Sequence, residues 1–318
     1  MFTIKDVAKK AGVSTATVSR VLHNKGYIKE CTRDKVMQAA NDLGYITNAT
    51  AQQLKSTSTK TIGFIISDVN NSYYFNILSK LKGLLSEHEH SLLVSFSSEN
   101  PIEEEKSFRS LIASRVSVIL FTPTTNKNSK IIKIAKKNGI KVIQLFRSVY
   151  SNIDTIINDD ENGCYLCTKK LLDENCKRIM LIDVDYECMD FSKIQPNRSN
   201  GFLRAIENNS NIAYKVIHLP LVNYSQDQLF QAINEFQPDG IIAGTGVFGY
   251  LLLALKKAFH QNYSIISFDN SKWFALNDIS SIQQDDEQLI QEIYKHILSP
   301  DTDTAQMTII PQKLISRN

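Results

Sequence analysis

The chain has 318 residues, 42% of them hydrophobic, with 36 basic and 33 acidic side chains. That is enough chain for more than one core, too much hydrophobic content for a disordered polymer, and without an apolar run of membrane-spanning length. Five scattered cysteines, an odd number, point to a reducing compartment, and the lack of a leader at the start makes the cytoplasm the expected location.

Residues 3–22 read as two short helices joined by a tight turn. Ile4, Val7, Ala8 and Ala11 recur at helical spacing, and Gly12 supplies the freedom a sharp turn needs. Ser14 is placed to cap the second helix by accepting from the amide of Thr17. Val18, Val21 and Leu22 form its inner face, which leaves Thr15, Ala16, Thr17, Ser19 and Arg20 outward or near its start. The reading is a helix-turn-helix whose second helix is slim enough at its N-terminus to enter a major groove. The plain alternative is an ordinary helical hairpin. Charge separates the two: residues 1–60 hold ten basic and four acidic side chains, net +6, while residues 61–318 hold 26 against 29, net −3. The positive excess sits with the motif, as phosphate binding by one module requires.

A third helix is expected, with Thr32 as N-cap, Val36, Ala39, Ala40 and Leu43 inward, and Gly44 at its end. Asn48 can cap a short helix over 49–55, before the polar run Thr57-Ser58-Thr59-Lys60. A helix so short is marginal in water and is expected to order only on DNA or against a dimer partner.

Three stretches carry a family likeness: "TIKDVAKKAGVSTATVSRVL", "TRDKVMQAANDLGY" and "NATAQQLKS". Residues 1–60 resemble the DNA-binding headpiece of the LacI/GalR family of bacterial transcription regulators. The resemblance implies a hinge helix at about 48–56 lying in the minor groove, with Leu54 wedged into a base step and Ala51 beside it. The alternative for Leu54 is a linker residue packed on the large domain. The same resemblance brings Thr3, Ser14, Thr15, Ala16, Thr17, Ser19, Arg20, Asn24 and Asn48 to the DNA. Thr15, Ala16 and Arg20 would face base edges, with Ser14, Thr17 and Asn24 nearer phosphates. Arg20 is the strongest direct reader, because a guanidinium can bridge guanine O6 and N7.

From residue 61 the texture changes to strict alternation. Strands are expected at 61–67, 91–97, 116–123 and 140–146, with helices at 73–88, 101–114 and 129–138 between them. A second set follows: helices 161–174, 197–208, 225–235 and 247–258, and strands 178–184, 214–219, 239–243 and 264–268. Such alternation implies parallel sheets with helices on both faces, and the length implies two α/β lobes. The family likeness extends here as a periplasmic-binding-protein-like domain that closes on a small effector. It implies an N-lobe of about 61–157 and 284–299 and a C-lobe of about 158–283 and 300–318, with crossings near 158, 283 and 300.

In such folds ligands lie at the carboxyl ends of parallel strands. The loop from Asp68 to Phe75 resembles the family's D-x-x-N-P-F-F, with Ser72 where proline is usual. It offers Asn70, and Tyr73 and Tyr74 either stack on a sugar ring or pack inside the lobe. Phe146-Arg147 sits where the family often has Asp-Arg. "QPNRSNGF" matches R-x-x-G-F and nominates Arg198, an effector ligand or else a structural ion pair. "SFDN" nominates Asp269 as an acceptor of ligand hydroxyls. Thr245 stands in the segment where the family usually has N-D-x-x-A-x-G, so a carboxylate is missing there. With Arg147 and Arg198 retained and one acid lost, the cleft leans towards an anionic effector such as a sugar acid or sugar phosphate.

Gly244-Thr245-Gly246-Val247-Phe248-Gly249 is also a literal G-x-G-x-x-G after a strand and before a helix, with Asp269 twenty residues beyond its last glycine. That is the alternative: an NAD-binding redox sensor or dehydrogenase. Against it, no histidine or lysine base is placed for hydride transfer. Cys164-x-x-Cys167 reads as two core residues one turn apart, the rival being a zinc site with Cys176 and Cys188 that lacks matching spacing. No nucleophile motif and no metal pattern among the six histidines is visible. The expectation is therefore a non-enzymatic, cofactor-free repressor of carbohydrate genes. It would act as a homodimer on a pseudo-palindromic operator, with no heptad tail for further assembly and no membrane partner.

Overall fold

The computed structural model describes residues 2–22, 26–45, 60–185, 197–207, 209, 211–221, 225–301 and 304–317. The chain divides into two compact units, Met1–Thr59 and Lys60–Asn318.

The first unit is three helices, α1 (Ile4–Ala11), α2 (Thr15–Leu22) and α3 (Glu30–Asp42). Thr3 opens α1 by donating its amide and hydroxyl to Asp6 at 2.8 and 2.7 Å, and these bonds hold the Asp6 carboxyl below its ordinary range. Gly12 leaves the helix at φ 69°, the left-handed conformation the turn requires. Ser14 Oγ accepts from Thr17 N at 3.1 Å, as expected of a cap. The start of α3 differs from expectation. It begins at Glu30, so Thr32 lies inside the first turn and caps nothing, and the acidic Glu30 favours the helix dipole instead. Its end is as read: Gly44 turns at φ 59°, and Gly44 N and Tyr45 N reach back to Asn41 O and Ala40 O. Val7, Ala8, Val18, Val21, Val36, Ala39 and Ala40 close the core. Asn24, Asn48, Ala51 and Leu54 lie outside the described residues.

The second unit holds two six-stranded sheets. In chain order its N-lobe begins with β1 (Thr61–Ile66), α4 (Ser72–Glu87), β2 (Ser91–Phe96), α5 (Pro101–Ala113), β3 (Val118–Phe121), α6 (Ser129–Lys137), β4 (Lys141–Leu145) and β5 (Asp154–Asn158). The C-lobe follows with α7 (Asp160–Asp173), β6 (Arg178–Val184), α8 (Asn197–Ile206), β7 (Ala213–Leu219) and α9 (Gln226–Phe236). It continues through β8 (Gly240–Ala243), α10 (Gly246–Ala258), β9 (Ser264–Ser267), α11 (Lys272–Leu276) and β10 (Ser280–Gln284). Then come α12 (Asp286–Leu298), β11 (Met307–Ile310) and β12 (Gln312–Ile315). The sheet orders are β11-β5-β4-β3-β1-β2 and β12-β10-β9-β8-β6-β7. All described pairings are parallel except β10 with β12.

Alternation along each buried strand feeds two cores. Ile62, Phe64 and Ile66 of β1 face α4 and α12, whereas Ile65 faces α5 and α6. Met180, Ile182 and Val184 of β6 join α9 and α10, while Ile179 and Leu181 join α7 and α8. Cys164 and Cys167 sit in that last core, fully buried, and burial pushes their thiols up. Among the described residues no helix is long and apolar enough to cross a membrane.

The chain passes between sheets at Asp159, at Asp285 and at Pro311. The third is displaced from about 300, because β11 pairs in register with β5, Ile310 opposite Asn158, and keeps residues up to 310 with the N-lobe. Pro311 has no amide hydrogen to extend that ladder, and the next residue, Gln312, pairs with Gln284 of the other sheet. The closing segment thus contributes one strand to each sheet.

Candidate operator face and effector cleft

In the first unit Thr15, Ala16 and Arg20 are exposed at the start and outer side of α2, with Thr17 and Ser19 half-buried. Val18 and Val21 anchor the opposite side, so the outward set is fixed by the core beneath it. Small side chains at the first turn leave room for the helix tip to approach base edges. Lys5 and Lys9 are exposed nearby in sequence, and Lys10 is held by Asp42 at 2.9 Å.

In the second unit the expected effector residues gather at the carboxyl ends of the strands of the two lobes. Asp68 follows β1, accepts from the amide of Asn70 at 2.8 Å, and has its carboxyl pushed up by burial. Asn71 caps α4 by accepting from Tyr73 N. Tyr73 and Tyr74 are buried with Phe146, at centroid distances of 5.6 and 4.9 Å, so of their two readings the packing one describes them. The Tyr73 hydroxyl accepts from Asn158 Nδ2, at the end of β5 in the same lobe, at 3.2 Å.

Arg147 is not open to a ligand anion in the way its sequence position suggests. Its guanidinium makes two bonds to Glu99 at 2.8 and 2.7 Å and one to Pro123 O at 2.9 Å, with both ionic side chains under a tenth exposed. Glu99 went unnoticed in the sequence because its partner lies 48 residues away. Arg198 is likewise engaged, with Asp160 at 2.7 Å and Asp183 at 3.4 Å, its guanidinium 4.7 Å above the Phe268 ring. Both readings of Arg198 remain compatible with this position. Asp183 is the penultimate residue of β6, at the carboxyl end that the ligand rule alone would have nominated. Burial pushes the Asp160 carboxyl up while Arg198 pulls it down. Asp269, at φ 65°, accepts from Gly246 N at 3.1 Å and Gln284 Nε2 at 2.9 Å. Ser98, Glu99 and Phe146 also have left-handed backbone.

Those contacts remove the support for the dinucleotide alternative. The Gly246 amide, where a pyrophosphate would sit, is occupied by Asp269, and Thr245 Oγ1 accepts from Phe248 N as the cap of α10. The glycines serve packing. A Cβ on Gly249 would lie 2.3 Å from Ser267 Oγ and 2.6 Å from Phe274 Cζ, and one on Gly244 would lie 2.8 Å from Asp183 Oδ1. A cavity of about 800 Å³ does exist at the opposite ends of the C-lobe strands, beside Ser264 and Ser280. Its lysines are already spent on Tyr263 O and Asn277 Oδ1.

Two family models match the chain: bacterial regulatory proteins of the lacI family over residues 3–48, and periplasmic binding proteins and sugar binding domain of the LacI family over residues 59–317. The HTH-type transcriptional repressor PurR of Vibrio vulnificus is 31% identical over 211 residues, 65% of this chain and 61% of that protein. Catabolite control protein A of Priestia megaterium is 27% identical over 282 residues, 85% of this chain and 83% of its own length. Among solved structures, the lac repressor dimer bound to operator and an anti-inducer superposes with a TM-score of 0.82 at 23% identity. That match covers 99% of this chain and 98% of the other, and establishes the fold. With a matching headpiece and a matching two-lobed domain, the chain belongs to the LacI family of bacterial regulatory proteins.

Proposed function

We propose that this chain is a cytoplasmic transcriptional repressor that binds a pseudo-palindromic operator as a homodimer, with affinity set by a small molecule held between its lobes. The observation that carries the reading is the exposed Thr15, Ala16 and Arg20 face of a capped second helix, in a segment of net charge +6. Related proteins named as repressors support it. Dimerisation is supported by apolar side chains left in water on each lobe. Phe75, Leu93, Val94 and Phe96 lie on the edge-strand side of the N-lobe, and Tyr250, Trp273 and Leu276 lie on α10 and α11. Selection from a random duplex library tests the reading: recovery of a two-fold symmetric site supports it, and recovery of no preferred sequence overturns it.

The pairing of both cleft arginines with carboxylates turns the effector reading away from an acid or phosphate. Asp68, Glu99, Asp160, Asp183 and Asp269 accompany Arg147 and Arg198 there, and an added anion would meet an excess of negative groups. A neutral polyhydroxyl ligand, accepting from Arg198 and donating to Asp269, fits these groups better. A thermal-shift screen decides it, since a bound ligand stabilises the folded lobes. Stabilisation by sugar phosphates and by no neutral sugar would reverse this assignment.

A further inference from the structure

The three places where the chain passes between lobes are tied by side chains to the candidate effector contacts. At the third, Gln312 is nearly buried, and its Nε2 donates to Asp160 Oδ1 at 2.9 Å. Asp160 stands just after the first, and its other oxygen holds Arg198 at 2.7 Å. The same two segments are joined by the amide of Asp159 donating to Ile310 O at 2.9 Å. At the second, Gln284 donates to Asp269. Gln284 and Gln312 are themselves opposite one another across β10 and β12.

Gln312 is held in this pose at a cost. Its Oε1 is buried with no hydrogen-bond partner and lies against Gly163 of α7, where a Cβ would stand only 2.1 Å from it. Gly163 has ordinary helical φ, so backbone freedom does not account for a glycine there; room for the Gln312 amide does.

We infer that Gln312 is a positioning residue, which couples the Arg198–Asp160 pair to the link between the lobes. The inference rests on the cleft being the effector site. A ligand that accepts from Arg198 draws that guanidinium from Asp160. Asp160 then depends on Gln312, whose strand is the last connection between the sheets. The lobe arrangement thereby responds to a contact made on one lobe alone.

The test uses the full chain and needs no effector. Hydrogen exchange is followed in 157–163 and 308–314 for Q312A, G163A, the double variant and Q312E. Each single variant is expected to speed exchange in both segments by about fivefold, the loss of one hydrogen bond. The double variant is expected to add nothing to either, because a Cβ at 163 displaces the amide that Q312A removes. Q312E separates coupling from mere space filling. A carboxylate at 312 would face Asp160, on which Arg198, Asp183 and Asp269 also act. At pH 8 its carboxylate repels Asp160 and it behaves as Q312A, and the difference from wild type is expected to shrink as falling pH protonates the introduced carboxyl and lets it donate. On a duplex recovered by selection, Q312A is expected to shift affinity about threefold or more, although Gln312 lies outside the headpiece. Additive exchange, a flat Q312E pH profile or an unchanged duplex affinity overturns the inference. Failure to select any duplex strikes the functional reading instead and leaves the exchange result standing. Should G163A not fold, Q312E alone carries the test.

Discussion

At the scale of single residues, the sequence was legible where chemistry is local and silent where a partner is remote. Arg20 could be nominated from its place on α2, where it is exposed. Arg20→Ala is expected to cost about 1–3 kcal/mol of specific binding and to relax preference at one base pair, measured by titration of matched and mismatched duplexes. Arg147 could be placed at a strand end, but nothing local announced Glu99. Glu104 was equally hidden. Its carboxylate is fully buried on α5 and accepts from Thr124 N, Thr124 Oγ1 and Asn128 Nδ2, all neutral donors. Burial, outweighing these bonds, raises its carboxyl to about 7. A folded-state value above the unfolded one means that the contribution is present below about pH 4.5 and is lost as pH rises through 7. Ionisation of Glu104 should therefore remove up to about 3 kcal/mol between those limits. Glu104→Gln should erase that slope, read from denaturant melts at pH 5 and pH 8. Equal slopes in the two proteins would refute the assignment.

At the scale of elements, helices and central strands showed themselves through periodicity, capping residues and terminal glycines. The strands β5, β10, β11 and β12 and the helices α11 and α12 did not. The strands are four or five residues long, and β5 and β11 find their register on each other across about 150 residues of chain. The N-cap of α3 failed for a related reason: Thr32 has the right chemistry, but Glu30 starts the helix two residues earlier. The glycine-rich loop shows how a motif can be correct in letters and different in use. If Gly249 is there for contact with Ser267 and Phe274, Gly249→Ala should destabilise the domain by about 1–3 kcal/mol. Titration of the unaltered protein with NADH should leave the cofactor's fluorescence unchanged. A saturable NADH signal would restore the nucleotide reading.

At the scale of the molecule, composition and alternation fixed two α/β lobes behind a basic headpiece, but could not place the last passage between them. Pairing between distant strands decides it. The apolar patches were also invisible in sequence, since exposure is a property of the whole surface. Trp273 is the only tryptophan and is 66% exposed, and Leu276 beside it is 77% exposed. If this patch is covered by a second copy, dilution should red-shift the tryptophan emission. Leu276→Asp should yield a monomer by sedimentation, with operator affinity reduced at least about tenfold by loss of the second headpiece. An unshifted spectrum together with an intact dimer would move the interface elsewhere.

The two final strands are each the outermost member of a different sheet. During synthesis, β5 and β10 must therefore wait with bare hydrogen-bonding edges until residues 307–315 clear the ribosome. Neither sheet is complete without this segment, and a protease nick just upstream of Met307 would expose the edges of β5 and β10 together.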